Sequence, residues 1–97
     1  MRVAISHNLT RAEARKRIKA RTDEIVGFIP GASSVRSEWE GKDHLALTIA
    51  VMGKEVDAGI DIEDDEIVIE IELPRSLALF SSKIKSAIRD KGTKLLG

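Results

Sequence analysis

Apolar residues recur along this chain with two different periods, and each change of period marks a boundary between elements. Thr10 to Glu13 has the form of a capping box, in which the threonine hydroxyl and the glutamate carboxylate each satisfy a backbone N–H at a helix start. Ala14, Ile18, Ile25 and Ile29 then fall at helical spacing, with Leu9 as the apolar staple before the cap, and Pro30-Gly31 ends the run. The spacing predicts one helix over this span. From Val35 the period drops to two: Val35, Ser37 and Trp39 alternate with Arg36, Glu38 and Glu40. Gly41-Lys42 reads as a turn. His44 to Met52 alternates again, with Leu45, Leu47, Ile49 and Val51 on one side and Ala46, Thr48, Ala50 and Met52 on the other. Gly53-Lys54 turns the chain back. Val56, Ala58, Ile60 and Ile62 make a third strand, and Ile67, Ile69, Ile71 and Leu73 a fourth, across the acidic turn "EDDE".

Pro74 stops the last strand because proline cannot donate to a sheet ladder. Leu77, Phe80, Ile84, Ile88 and Leu95 return to helical spacing, with Ser81 or Ser82 as the cap and Gly92 expected to fray the final turn. Residues 2 to 6, "RVAIS", add a short edge strand. The order β-α-β-β-β-β-α predicts an α+β two-layer sandwich: an antiparallel meander of four to five strands, with two helices on its apolar face.

The chain has 97 residues and no Pro- or Ser-rich linker, which predicts a single domain over residues 1–97. At this size an enclosed ligand cavity is not expected within one subunit. There is no Cys, so disulfides, thiolate metal sites and a cysteine nucleophile are all excluded. No apolar run approaches the roughly 18 residues a spanning helix needs, and "MRVAIS" is too short for a signal peptide, so a cytoplasmic protein is expected.

Charge changes the picture more. The net charge is zero, yet residues 1–30 hold seven basic and three acidic side chains, residues 54–73 one and nine, and residues 74–97 six and one. Both helices are therefore basic and the last two strands acidic, which predicts a positive helix layer and a negative open sheet face. Each element could simply carry a soluble outer face. The functional alternative is a positive face, built from Arg11, Arg15, Lys16 and Lys19 on the first helix and Lys83, Lys85 and Arg89 on the second, that docks on an anionic surface. Nucleic acid is a disfavoured partner. There is no recognition-helix motif, Phe28, Phe80 and Trp39 are too few for a stacking platform, and the acidic sheet would repel phosphates.

Catalytic chemistry is sparse. His7 and His44 have no partner at metal-ligand spacing, and the serine pairs at 33–34 and 81–82 lack the context of an activated nucleophile. The run Asp61, Glu63, Asp64, Asp65 and Glu66 lacks the alternating ligands and central glycine of a calcium loop. Glu70 and Glu72, beside Asp57 and Asp61, could hold paired carboxylates but read as solubilising residues. No catalytic, metal or cofactor residue is assigned. Ala46, Thr48, Ala50 and Met52 place small, uncharged side chains where a solvated strand should be polar, which predicts a homodimer through that face or by strand addition.

The segments "ISHNLTRAEARKRI", "EWEG", "ELPRSLALFSSKIKSAI" and the closing "KLL" resemble, in order and spacing across nearly the whole chain, the polyhydroxyalkanoic acid system proteins. His7, Leu9, Glu13, Ala14, Trp39, Gly41, Leu73, Pro74, Phe80, Ile84 and Ile88 are the matching positions, and they read as cap, staple, core and turn. The chain departs from the resemblance in "DKGTKLLG", where Gly92 weakens a helix expected to be continuous. The resemblance implies a non-enzymatic accessory role at a storage-polyester granule, binding its surface or a granule-associated protein, with a cytoplasmic and granule-associated location. A small-ligand binder or enzyme for acyl or fatty-acid-like molecules, with a helix-grip-like groove, is the first alternative. A weak nucleic-acid binder using the basic helices is the second.

Overall fold

The computed structural model describes residues 1–96, and in it the predicted alternations become one five-stranded antiparallel sheet. Strands β1 (Arg2–Ser6), β2 (Ala32–Trp39), β3 (His44–Val51), β4 (Lys54–Ile62) and β5 (Glu66–Ile71) lie in the order β1-β5-β4-β3-β2. The last four form the meander. β1 closes the far edge by pairing Val3 with Ile69 and Ile5 with Ile67. Helices α1 (Arg11–Ala20) and α2 (Ser81–Leu96) cover one face, each joined to a 3-10 segment, Thr22–Phe28 after α1 and Arg75–Phe80 before α2.

The core is the layer between sheet and helices. Leu45, Ile49, Ile60, Ile67 and Ile69 meet Ala14, Ile18, Ile25, Phe28, Ile84 and Ile88, all buried, and no polar or charged side chain is buried among the described residues. Each fully buried aliphatic side chain contributes roughly 1.5–3 kcal/mol relative to exposure, so this dry layer is what holds the helices on the sheet.

Several expectations change. The first helix does not reach Pro30: α1 stops at Ala20. The Thr22 hydroxyl donates back to Ile18 O at 3.0 Å, Arg21 N–H takes the same carbonyl at 3.1 Å, and the chain tightens into a 3-10 helix. Residues three apart eclipse in that geometry, so Ile25 and Phe28 are buried together, although Phe28 lay outside the helical stripe. Ser81 is no cap, because the preceding 3-10 segment feeds directly into α2 with Ser81 already helical. Phe80 is 45% exposed and so does not belong to the core.

Gly92 does not fray α2 but sits buried inside it, where a Cβ would collide with Ile5 Cδ1 of β1. Its missing side chain is what lets the helix approach the sheet. Ser37 is exposed, with Val35 and Trp39 half-buried, because the helix layer covers the edge strand β2 only in part. β3 ends at Val51. Met52 and Gly53 form a two-residue hairpin loop with φ of +52° and +79°. Positive φ at both positions is the type I′ pattern that matches strand twist.

Candidate functional site

The basic layer is anchored by the predicted capping box. Glu13 N–H donates to Thr10 Oγ1 at 3.1 Å and Thr10 N–H reaches Glu13 Oε1 at 3.4 Å. One turn earlier, Leu9 N–H donates to His7 Nδ1 at 3.1 Å, which leaves His7 Nε2 to donate to Glu63 O at 3.0 Å. His7 therefore ties the entry of α1 to the β4–β5 turn.

The cations assigned to the surface separate into two groups once their partners are known. Arg11 is neutralised: its guanidinium meets Asp64 at 2.6 Å and Asp43 at 3.0 Å, and hydrogen bonds to Asp64 first and Asp43 second hold its pKa above the ordinary arginine value. Arg15 is half-buried, with Nε buried and unpartnered. Lys19 lies over the Trp39 ring, 5.3 Å from its centroid, a cation–π contact worth about 0.5–1 kcal/mol at an exposed site. Lys16, Lys83, Lys85 and Arg89 are exposed and make no ion pair among the described residues. Two arginines outside the sequence-assigned set do structural work, because Arg17 donates to Leu96 O and Arg21 to Lys94 O. They satisfy carbonyls at the C-terminus of α2, where positive charge also opposes the helix dipole.

The open face of the sheet has the opposite sign. Ala46, Thr48 and Ala50 run along its centre, half-buried, and Thr48 lies between Asp57 on β4 and Arg36 on β2. Because this strip is small, Arg36 reaches across β3 to Glu55 at 2.6 Å. Met52 is not part of the strip. It stands at the hairpin tip, 71% exposed.

Beside the strip, the register brings together the carboxylates expected side by side, Asp57, Asp61, Glu70 and Glu72, and adds His44, which periodicity alone did not place with them. His44 Nδ1 lies 2.6 Å from Asp61 Oδ1 and its Nε2 lies 3.4 Å from Glu40 Oε1. The ring rests over Gly59, where a Cβ would meet its Cε1 at 3.0 Å. His44, Gly59 and Asp61 line, with Asp57, Glu70 and Glu72, a shallow depression of about 180 Å³. No hydroxyl side chain lines it, and among the described residues no group of three or more His, Asp or Glu is placed to hold a metal ion. Both imidazole nitrogens are engaged by carboxylates. The depression offers negative charge to a cation and carboxylates rather than a hydroxyl as its reactive groups. The parity of His44 and Asp61 was readable as outward-facing, but their pairing depends on cross-strand register.

Among the described residues, no helix is long and apolar enough to cross a membrane. Residues 1–96 match the family described as putative polyhydroxyalkanoic acid system protein. No curated protein sequence matches the chain. A solved structure, the crystal structure of Ara h 8.0201, is similar over 97% of this chain and 97% of that chain, at 14% identity and a TM-score of 0.44.

Proposed function

We propose a role that proceeds from one premise: the chain belongs to the putative polyhydroxyalkanoic acid system protein family. The role is that of a non-enzymatic accessory protein that binds a polyhydroxyalkanoate granule surface or a granule-associated protein through its helix layer. The observation that carries it is the set of exposed cations without ion-pair partners among the described residues, Lys16, Lys83, Lys85 and Arg89, on the layer opposite an acidic sheet face. Arg11, Arg15 and Lys19 lend charge to that layer while serving contacts within the fold. The space between sheet and helices is filled by Ile18, Ile25, Phe28, Ile49, Ile60 and Ile88, which favours surface binding over an acyl-ligand groove. The same reading takes the protein to be a homodimer through the Ala46, Thr48 and Ala50 strip.

The test is co-sedimentation with native granules across a salt series, with duplex DNA as the competing polyanion. Binding is expected to weaken as salt rises through the range where the Debye length falls below about 10 Å. A triple variant, K16E/K85E/R89E, should lose at least about tenfold in bound fraction at low salt, as expected for removing several surface charges from an electrostatic contact. Unchanged recovery of this variant, or tighter binding to DNA than to granules, rejects the reading.

A further inference from the structure

Among the described residues, the exposed large hydrophobics are Met52, Leu79 and Phe80, at 71%, 93% and 45% exposure. Single exposed apolar residues are ordinary on a protein surface, but these share one end of the molecule. The 3-10 segment Arg75–Phe80 is docked on the β3–β4 hairpin: Lys54 Nζ donates to Ser76 Oγ at 3.1 Å, and Val51, Met52, Lys54, Ser76 and Leu77 line one shallow cleft. Eclipsing at a spacing of three puts Leu79 in line with Ser76 and Phe80 in line with buried Leu77. Met52 is presented from the hairpin tip in a left-handed conformation.

On its helical side this tip carries charge of one sign, while the hairpin side holds Lys54 and, next to it, Glu55, which is paired with Arg36 at 2.6 Å. From Leu73 to Arg89 the chain contains no Asp or Glu, while Arg75, Lys83, Lys85 and Arg89 fall within it. Exposed apolar side chains on a cation-rich segment form the pattern by which a soluble protein seats on an apolar phase with a negatively charged boundary. We propose that Leu79, Phe80 and Met52 insert into the apolar phase of a polyester granule while Lys54, Arg75 and Lys83 hold its anionic boundary. This rests on the granule reading above and adds to its helix-layer contact a direct insertion of the tip, without a protein intermediary.

The experiment measures binding to amorphous poly-3-hydroxybutyrate particles stabilised with oleate, beside native granules, for the full chain and for L79S/F80S. The expected result is wild-type binding to both preparations and at least a tenfold weaker association for the variant, at an unchanged melting temperature. L79S alone, altering a side chain with 93% exposure, covers the case in which the Phe80 substitution disturbs folding, and should weaken binding severalfold. Equal binding of the wild type and L79S/F80S overturns the insertion but leaves the granule role standing. So does wild-type binding to native granules and not to the protein-free particles. Absence of wild-type binding to either preparation overturns the granule reading and the insertion together. A wild-type dimer that becomes monomeric in L79S/F80S assigns the tip to a second copy and also overturns the proposal.

Discussion

Met52 occupies a position that its side chain disfavours. A Cβ residue at φ +52° loses roughly 1–2 kcal/mol relative to ordinary backbone, and asparagine tolerates that region best after glycine. Met52→Asn, which creates the preferred Asn-Gly loop, is expected to stabilise the fold by about 1 kcal/mol and raise the melting temperature by about 5 °C. An unchanged or lower melting temperature by calorimetry would show that the methionine contacts near Gly31 outweigh the backbone strain. The glycine of this loop is plain in the sequence, but the handedness at Met52 is not, since it follows from the pairing of Val51 with Lys54. His44 shows the same limit. Its outward parity is legible, while its place between Asp61 and Glu40 depends on register and a turn.

At the scale of elements, α2 and β1 approach each other closely at Gly92. Gly92→Ala gains about 1 kcal/mol of helix propensity but forces a methyl against Ile5 Cδ1, and overpacking of this kind costs about 1–3 kcal/mol. The expected net effect is destabilisation by about 1 kcal/mol, read as a lower denaturation midpoint. Ile5→Val removes the colliding methyl. In that background Gly92→Ala should be neutral or stabilising, so the double-mutant cycle should show favourable coupling. Additive effects would mean that Gly92 is not a packing contact. The helical spacing of Ile84 and Ile88 is enough to place α2, but the end of α1 at Ala20 turns on the Thr22 hydroxyl competing for the Ile18 carbonyl. A local hydrogen bond of that kind leaves no trace in an apolar stripe that continues to Ile29.

The whole molecule is electrically two-sided, and its two proposed contacts should respond to salt in opposite directions. Docking of the cationic helix layer on an anionic surface weakens as salt screens attraction. Self-association through the open face brings Asp57 and Glu38 of two copies together around the small strip, with Glu55 already paired to Arg36, so screening should strengthen it. Light scattering at about 100 μM, well above a micromolar dissociation constant, is expected to give a dimeric mass that grows more populated with added salt. Thr48→Arg, which fills the centre of the strip, should give a monomer. A monomeric wild type at that concentration rejects the dimer.

The sequence by itself determined the order of strands and helices, which of their faces are apolar, and that the helix layer is positive and the later strands negative. Those properties follow from period and composition, which act locally along the chain. The tertiary structure alone decided what the charges and small residues face. It neutralised Arg11 with Asp64 and Asp43, turned Arg17 and Arg21 into caps for α2, and set Arg36 over β3 against Glu55. It also left Leu79 and Phe80 exposed on the 3-10 segment that meets the β3–β4 hairpin, although the spacing of Phe80 to Ile84 suggested a place in the apolar stripe. Contacts between residues distant in sequence depend on strand register and on how closely helix and sheet can approach, and neither quantity is carried by any single segment.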